Sequence, residues 1–232
     1  ESIEQTLNGT AGFGNKVTTT VSRNGDLIHR VYLQVTLPEI DAATSNFHGV
    51  SFRWLNWLGH VMVKNVEIEI GGQRIDKHYG DWLHIWNELT QSAGHQVGYA
   101  SMVGNVPRLT QPISGSMTGR GGKIPETVLY IPLQFWFCRN PGLALPLIAL
   151  QYHEVKFNVQ FRAAKFMEGN ADIENSGSCC ENVTLGGSMY CDYIFLDTDE
   201  RRRFAQVSHE YLIEQLQFTG EETVNTTTNK IK

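Results

Sequence analysis

Apolar and polar residues alternate along most of this chain, and this alternation constrains the fold more than any other feature of the sequence. In the longest stretch, apolar residues and one histidine recur at every second position from Leu27 to Leu37, until Pro38 interrupts the pattern. A period of two places alternate side chains on one face of a β-strand. The other predicted strands are residues 17–21, 66–70, 73–78, 129–137, 155–161, 189–196 and 212–218.

Two glycine-containing turns lie between these strands and predict β-hairpins. Asn24-Gly25 separates the β-branched run 17–21 from the strand that begins at Leu27, so these two strands are predicted to pair. Gly71-Gly72 separates residues 66–70 from the returning strand and predicts a second hairpin. Pro132 has no N–H to donate, which indicates an edge strand or a bulge at that point.

One stretch has helical periodicity. Asp81 stands where an N-cap is expected, and apolar residues follow at helical spacing. We expect a short helix whose tryptophans are largely buried against the sheets, although stacking on a cofactor is an alternative role for them. The residues that form this stripe are Trp82, Ile85, Trp86 and Leu89.

Residues 91–125 contain seven glycines and three prolines without sustained periodicity. This composition predicts a long loop, and loops of such length are usually functional or ordered by a partner. With seven to nine strands, hairpin turns and no alternation of strands with helices, the sequence predicts an all-β fold. We expect an antiparallel β-sandwich, a jelly roll or another Greek key, with one short helix that bears tryptophans.

The sequence contains no motif of an enzyme. P-loop, G-x-S-x-G and H-E-x-x-H patterns are absent. His78 and His84 flank the start of the tryptophan helix and are candidates for a metal site, but a strand-end and a helix-surface histidine are the simpler interpretation. Cys191 is a candidate nucleophile, but a buried strand thiol is the simpler reading. We therefore predict no catalytic, cofactor-binding or metal-binding residue, no cofactor and no enzymatic activity.

The net charge and the cysteine content indicate which partners the protein can bind and whether its cysteines form disulfides. The net charge is −5, which disfavours a large nucleic-acid surface. The charged run 197–203 carries both signs, so we interpret it as a solvated or internally paired turn. The cysteines have no C-x-x-C spacing and are predicted to be reduced. They are Cys138, Cys179, Cys180 and Cys191, and the glycosylation triplets begin at Asn8, Asn182 and Asn225.

Several long strings carry a resemblance to a known family. They are GQRIDKHYGDWLHIWNELT at 72–90 and LYIPLQFWFCRNPGLALPLIALQYHEV at 129–155, with SIEQT at 2–6, SRNGDLI at 22–28 and LDTDERRRF at 196–204. In this order they resemble the major capsid proteins of large nucleocytoplasmic DNA viruses, of the chlorella-virus and iridovirus type. Because the strings extend over nearly the whole chain, we treat the resemblance as specific.

The resemblance implies a structural protein built as a tandem double jelly roll. Residues 1–210 would be the first jelly roll, and 211–232 the linker and opening strand of a second one outside this sequence, which we expect to be part of a longer protein. Three copies would form a pseudo-hexagonal capsomer of an icosahedral virion, assembled in the host cytoplasm, with residues 91–125 at a trimer contact or the outer surface.

The expected partners are the protein itself, neighbouring capsomers and minor capsid proteins. The inner viral membrane would be only an indirect partner, and direct binding of nucleic acid or of a small-molecule substrate is not expected. A carbohydrate-binding jelly-roll module is the alternative function, and exposed tryptophans beside loop Asn or Asp residues would favour it.

Overall fold

The computed structural model describes residues 1–41, 51–114, 122–164, 184–207 and 209–220. Its strands are β1 (Ser2–Thr6), β2 (Lys16–Thr20), β3 (Leu27–Leu37), β4 (Ile40–Asp41), β5 (Ser51–Phe52), β6 (Val63–Ile70), β7 (Gln73–Tyr79), β8 (Ile113–Ser114), β9 (Lys123–Ile124), β10 (Thr127–Pro132), β11 (Leu145–Pro146), β12 (Val155–Phe161) and β13 (Gly186–Ile194). Its α-helices are α1 (Leu58–Met62), α2 (Gly80–Thr90), α3 (Gln96–Met102), α4 (Pro107–Thr110), α5 (Trp136–Arg139) and α6 (Thr198–Gln206), and 3₁₀ turns cover Ala93–His95 and Pro141–Leu143.

The longer strands form two antiparallel sheets. The first sheet has the order β1-β13-β3-β10, with β11 also paired to β3, and the second sheet has the order β2-β12-β6-β7. Numbered along the chain, the eight longer strands follow the order 1-8-3-6 in the first sheet and 2-7-4-5 in the second. Apart from the hairpin of strands 4 and 5, consecutive strands therefore alternate between the sheets as in a jelly roll, and the predicted fold class is confirmed.

The alternation seen in the sequence produces the core between the sheets. Val31, Leu33 and Val35 of β3 are fully buried, and Phe157 and Val159 of β12 meet them from the second sheet within one apolar cluster. Because successive side chains of a strand point to opposite faces, the polar residues between them lie on the outer faces of the sandwich. Burial of this apolar surface is the main source of stability.

The predicted pairing of β2 with β3 is wrong, although both strands exist. β2 pairs with β12 in the second sheet, whereas β3 pairs with β13 and β10 in the first. Gly25 is not among the described glycines with a positive φ, which a type I′ hairpin turn requires. A Cβ on Gly25 would lie 2.7 Å from Cβ of Tyr193, so this glycine permits close approach of β13 to a connection between the two sheets.

The Gly71-Gly72 hairpin is confirmed. β6 and β7 pair in antiparallel register, and both glycines have positive φ, 60° and 81°. Pro132 is the last residue of β10, and β10 is an edge strand of the first sheet, as the missing N–H indicates. The strand predicted over 129–137 ends there, however, because the following residues turn into α5. The alternating residues of its second half are still buried in the core.

Residues 91–125 are not one long loop. They contain α3, α4 and the short strands β8 and β9, while residues 115–121 lie outside the described part. Val103 and Leu109 are fully buried in the interior. Because this segment contributes to the core, we expect that deleting residues 94–122 would destabilise the sandwich rather than merely remove a surface loop. The helices are too short for their periodicity to stand out in the sequence.

Two predicted elements near the end of the chain are also wrong. The charged run 197–203 is exposed and partly paired, with Asp199 4.0 Å from Arg202, as predicted, but it forms most of helix α6 and not a turn. The Asp197 carboxylate accepts a hydrogen bond from the backbone N–H of Thr198 at the start of this helix. A residue that caps a helix start stabilises it by satisfying a free backbone donor. The strand predicted over 212–218 is not formed, because the described residues 209–220 have no regular secondary structure.

Candidate assembly surfaces

The tryptophan helix α2 packs through a different face from the one predicted. It begins at Gly80 after Tyr79, so Asp81 lies in the first turn and is not the N-cap. The buried positions are Gly80, Leu83 and Asn87, and the two tryptophans are partly buried. The other members of the predicted stripe face solvent. They are Ile85, 49% exposed, and Leu89, 76% exposed.

A close backbone contact explains this orientation. A Cβ on Gly80 would lie 2.1 Å from the carbonyl oxygen of His60 and 2.5 Å from that of Val63. Only glycine can therefore occupy this position while α2 packs against α1, and that contact fixes the rotation of the helix. Trp86 lies at the edge of the contact, where the Arg139 guanidinium stacks 3.9 Å from the centre of its ring.

An aromatic and histidine cluster joins α1, α2 and α3. Nε2 of His60 lies 2.7 Å from the hydroxyl of Tyr99, and the His60 ring is parallel to the Trp57 ring at 5.6 Å. The ring of His84 is 5.5 Å from that of His60. Burial, with a smaller contribution from His84, lowers the pKa of His60 to about 4. We call these four residues the histidine cluster.

Trp57, at one side of the histidine cluster, has an unusual backbone conformation. Its φ of 57° is the one positive φ outside glycine in the described part of the chain. A bulky residue in the left-handed region is strained, and the packing around it must compensate. Burial also raises the pKa of the Tyr99 hydroxyl, so that hydroxyl stays protonated. Through Tyr99, the histidine cluster therefore anchors part of the segment 91–125, which the sequence pattern predicted to be a loop.

The two histidines considered for a metal site have other roles. Nε2 of His78 lies 2.9 Å from a carboxylate oxygen of Asp76 in the interior, and the His78 ring stacks on Phe135 at 4.5 Å. His78 lies next to the last residue of β7, as the strand-end interpretation predicts, and its side chain is buried. His84 belongs to the histidine cluster. Within the described ranges, no group of three or more His, Cys, Asp or Glu side chains is arranged to hold a metal.

Cys191 is a buried strand thiol, as predicted. Burial raises its pKa to about 12, with the nearby Asp192 charge adding to the effect, so it is a poor nucleophile at neutral pH. Cys138 is also buried, its pKa is raised by burial as well, and both cysteines are unpaired. Asn8 is exposed. Cys179, Cys180, Asn182 and Asn225 lie outside the described residues.

The tryptophans do not form a sugar-binding platform. Trp54 and Trp136 are fully buried in the core. Trp57, Trp82 and Trp86 are each partly buried against neighbouring side chains. Since none of the five is an exposed loop residue, the observation that would favour a carbohydrate-binding module is not met.

Residues 209–220, the tail segment, lie against the second sheet and the connection from α5 to β11. The Leu216 N–H donates to Oδ1 of Asp76 at 3.1 Å, and Glu214 pairs with Arg139 at 2.9 Å. The ring of Phe218 is 4.5 Å from that of Tyr79 on β7. A cavity of about 760 Å³ lies between Tyr211 and the sandwich. The tail thus covers part of the exposed edge of β7.

None of the helices in the described ranges has the length and apolar character needed to cross a bilayer. The fold is a jelly roll of two antiparallel sheets, with apolar residues exposed on the surface of α2. These features place the chain in the jelly-roll class of β-sandwich proteins.

Residues 1–197 match the family described as "Major capsid protein N-terminus", and the chain belongs to that family. The resemblance found in the sequence is thereby confirmed. The chain is 57% identical over 233 residues to the major capsid protein of Pyramimonas orientalis virus, covering 100% of this chain and 52% of that protein. It is 53% identical over 252 residues to that of Phaeocystis pouchetii virus, covering 100% of this chain and 48% of that protein.

A solved structure agrees with the fold. The structure entitled "PBCV-1 virus capsid, quasi-atomic model" superposes with a TM-score of 0.74 at 42% identity, covering 97% of this chain and 48% of that chain. The chain therefore spans about half the length of the curated relatives that it matches. At this level of similarity the chain shares both family and fold with viral capsid proteins.

Proposed function

We propose that this chain forms the first jelly roll of a major capsid protein, and that three copies of the full-length protein build a pseudo-hexagonal capsomer of an icosahedral shell. The observation that carries the proposal is the family match over residues 1–197 on a fold that superposes along 97% of the chain with a viral capsid structure. Neighbouring capsomers and minor capsid proteins are the remaining proposed partners. Assembly in the host cytoplasm belongs to the same proposal.

The physical properties of the sandwich support this role. One continuous apolar cluster joins both sheets, which makes the jelly roll a stiff unit. The net charge of −5 disfavours direct binding to a genome, because phosphate binding requires clustered cations. A shell component needs stiffness and side contacts and has no need of a catalytic group.

The mass of the full-length protein in solution tests the proposal. We expect light scattering coupled to size-exclusion chromatography to give three times the mass of one polypeptide, with little dependence on dilution into the nanomolar range. A polypeptide that remains monomeric at all concentrations, with or without minor capsid proteins, would contradict the proposed capsomer.

We also propose that the first jelly-roll domain comprises residues 1–210 and that 211–232 begin the connection to a second one. The family match, which ends at residue 197, and helix α6, which ends at Gln206, support a boundary in this region. The contacts of the tail segment support a linker that stays attached to the sandwich. A free apolar strand over residues 212–218, by contrast, would expose an unpaired edge and promote association.

Truncation distinguishes the attached tail from the free strand. Removing residues 209–232 is expected to lower the free energy of unfolding by about 2 kcal/mol, because the buried Asp76 carboxylate loses a donor and apolar contacts of Tyr211 are exposed. Urea denaturation of residues 1–208 and 1–232 measures this difference. A chain of residues 1–220, which keeps the tail segment, is the matched control and should unfold like 1–232. Equal stability with better solubility for 1–208 would favour the free strand.

A further inference from the structure

Three neighbouring rows on the outer face of the first sheet are nearly uncharged and carry tyrosines from three strands. The register aligns Tyr190 of β13 with Tyr32 of β3, and Tyr130 of β10 with Gln34 in the next row. The Tyr130 and Tyr190 rings are 6.3 Å apart, edge to face. The three rows of this tyrosine face are Glu4–Tyr190–Tyr32–Pro132, Thr6–Ser188–Gln34–Tyr130 and Gly186–Thr36–Val128. The next row, with Ser2, Asp192 and Arg30, carries charges of both signs and bounds the face.

These side chains are outward because their neighbours along each strand fill the core. Leu33, Leu129 and Met189 are fully buried, so the alternate residues point away from the sandwich. Val128 is 41% exposed and Tyr130 is 39% exposed. Across the three rows Glu4, at the outer edge on β1, is the single charged residue.

The outer face of the second sheet has the opposite character. There Lys77 pairs with Glu67 at 2.8 Å, and Arg74 lies 3.7 Å from the same carboxylate. Lys16 and Lys156 occupy outward positions on β2 and β12. Tyrosine is common in β-strands, which explains the tyrosines on the first sheet. It does not explain why charged residues are scarce in these rows, because the strands of the second sheet carry many of them.

Depletion of charge together with enrichment in tyrosine is the composition of a protein–protein interface. A face that remains in water normally carries Lys and Glu, as the second sheet does. The tyrosine face therefore has the chemistry of a surface that another protein covers, and the charged face has the chemistry of one that stays solvated.

We propose that the tyrosine face is covered by a second copy of the protein in the capsomer, an inference that rests on the proposed homotrimer. Four strands about 4.8 Å apart and rows about 7 Å apart give a projected area of about 400 Å². This is about half of the roughly 800 Å² that each partner buries in a standard interface. Such a patch suits one element of a larger contact between copies.

The described tail segment does not compete for this surface. Its contacts are with β7, α5 and the 3₁₀ turn Pro141–Leu143, and none of these residues belongs to the tyrosine face. The tail therefore leaves the tyrosine face open for a contact between molecules.

Lysine substitutions in the full-length protein test this inference. Tyr130→Lys and, separately, Val128→Lys are expected to raise the dissociation constant of the trimer at least about 30-fold, the effect of losing one strong interface residue. The lysine charge would be buried against the neighbouring copy in the trimer, whereas in a free monomer it would remain in water and leave the stability of the fold unchanged. Sedimentation velocity over a dilution series measures the constant, and thermal unfolding of the monomer checks that the fold is retained.

Thr20→Lys is the matched control, because Thr20 is an exposed residue on the outer face of the second sheet. It should leave the trimer unchanged. If Tyr130→Lys and Val128→Lys trimerise like wild type, the inference is wrong and the homotrimer stands. If they lower monomer stability while trimers persist, the face packs within the polypeptide, which also overturns the inference. A wild-type protein that never trimerises instead contradicts the proposed function.

Discussion

Gly80→Ala is expected to destabilise the protein by about 3 kcal/mol, at the upper end of the range for forced overpacking. The added methyl would lie 2.1 Å and 2.5 Å from two backbone carbonyl oxygens, and backbone cannot move aside as a flexible side chain can. Separation of α2 from α1 would also disturb the histidine cluster. Urea denaturation of residues 1–232 followed by tryptophan fluorescence measures the loss.

Gly98→Ala is the control for this substitution. Gly98 lies in helix α3, and a Cβ there would have no neighbour within 4 Å. Alanine is the better helix former by about 1 kcal/mol, so this variant should be neutral or slightly stabilised. Similar effects of the two substitutions would show that the close contact between α1 and α2 does not form.

Acidification is expected to destabilise the protein through His60. Its pKa is lowered from 6.5 to about 4 in the folded state. His60 is therefore protonated near pH 6.5 in the unfolded chain but only near pH 4 in the folded protein. The contribution of neutral His60 to the free energy of unfolding is fully present above pH 6.5 and is lost as the pH falls toward 4. One pKa unit corresponds to about 1.4 kcal/mol, so the loss from this residue approaches about 3 kcal/mol.

Denaturation at several pH values between 7 and 4 measures this dependence. His60→Gln should be less stable at pH 7, because it perturbs the packing around Tyr99, but its stability should fall less steeply on acidification. His95→Gln serves as the control, since His95 is exposed and should keep the wild-type slope. An unchanged slope in His60→Gln would show that other groups cause the acid sensitivity.

The histidine cluster illustrates what sequence patterns leave out. Trp57, His60, His84 and Tyr99 come from four separate positions over more than forty residues, and none of the intervening spacing is that of a known motif. The segment containing Tyr99 resembles a loop in composition because of its glycines. Its order comes from contacts with α1 and the core, and these contacts are long-range.

Helix α2 shows the same limit at the level of one element. Its period and its position after β7 were predictable, because the spacing of apolar residues is a local property. Its rotation was not, because the backbone approach at Gly80 turns Leu83 and Asn87 inward. The resulting exposure of Ile85 and Leu89 is visible only in the folded chain.

The class of the fold, most of the strands, the buried side of each strand and the family could all be inferred from the order of the residues alone. Alternation depends only on the geometry of neighbouring residues, and the family strings are contiguous. The tertiary structure decided which strands pair. β2 and β3 are separated by six residues yet belong to opposite sheets, since their partner strands lie far along the chain, up to 167 residues away for Leu27 and Ile194. The contrast between the tyrosine face and the charged face follows from that pairing, because a face exists only after separate strands are aligned in register.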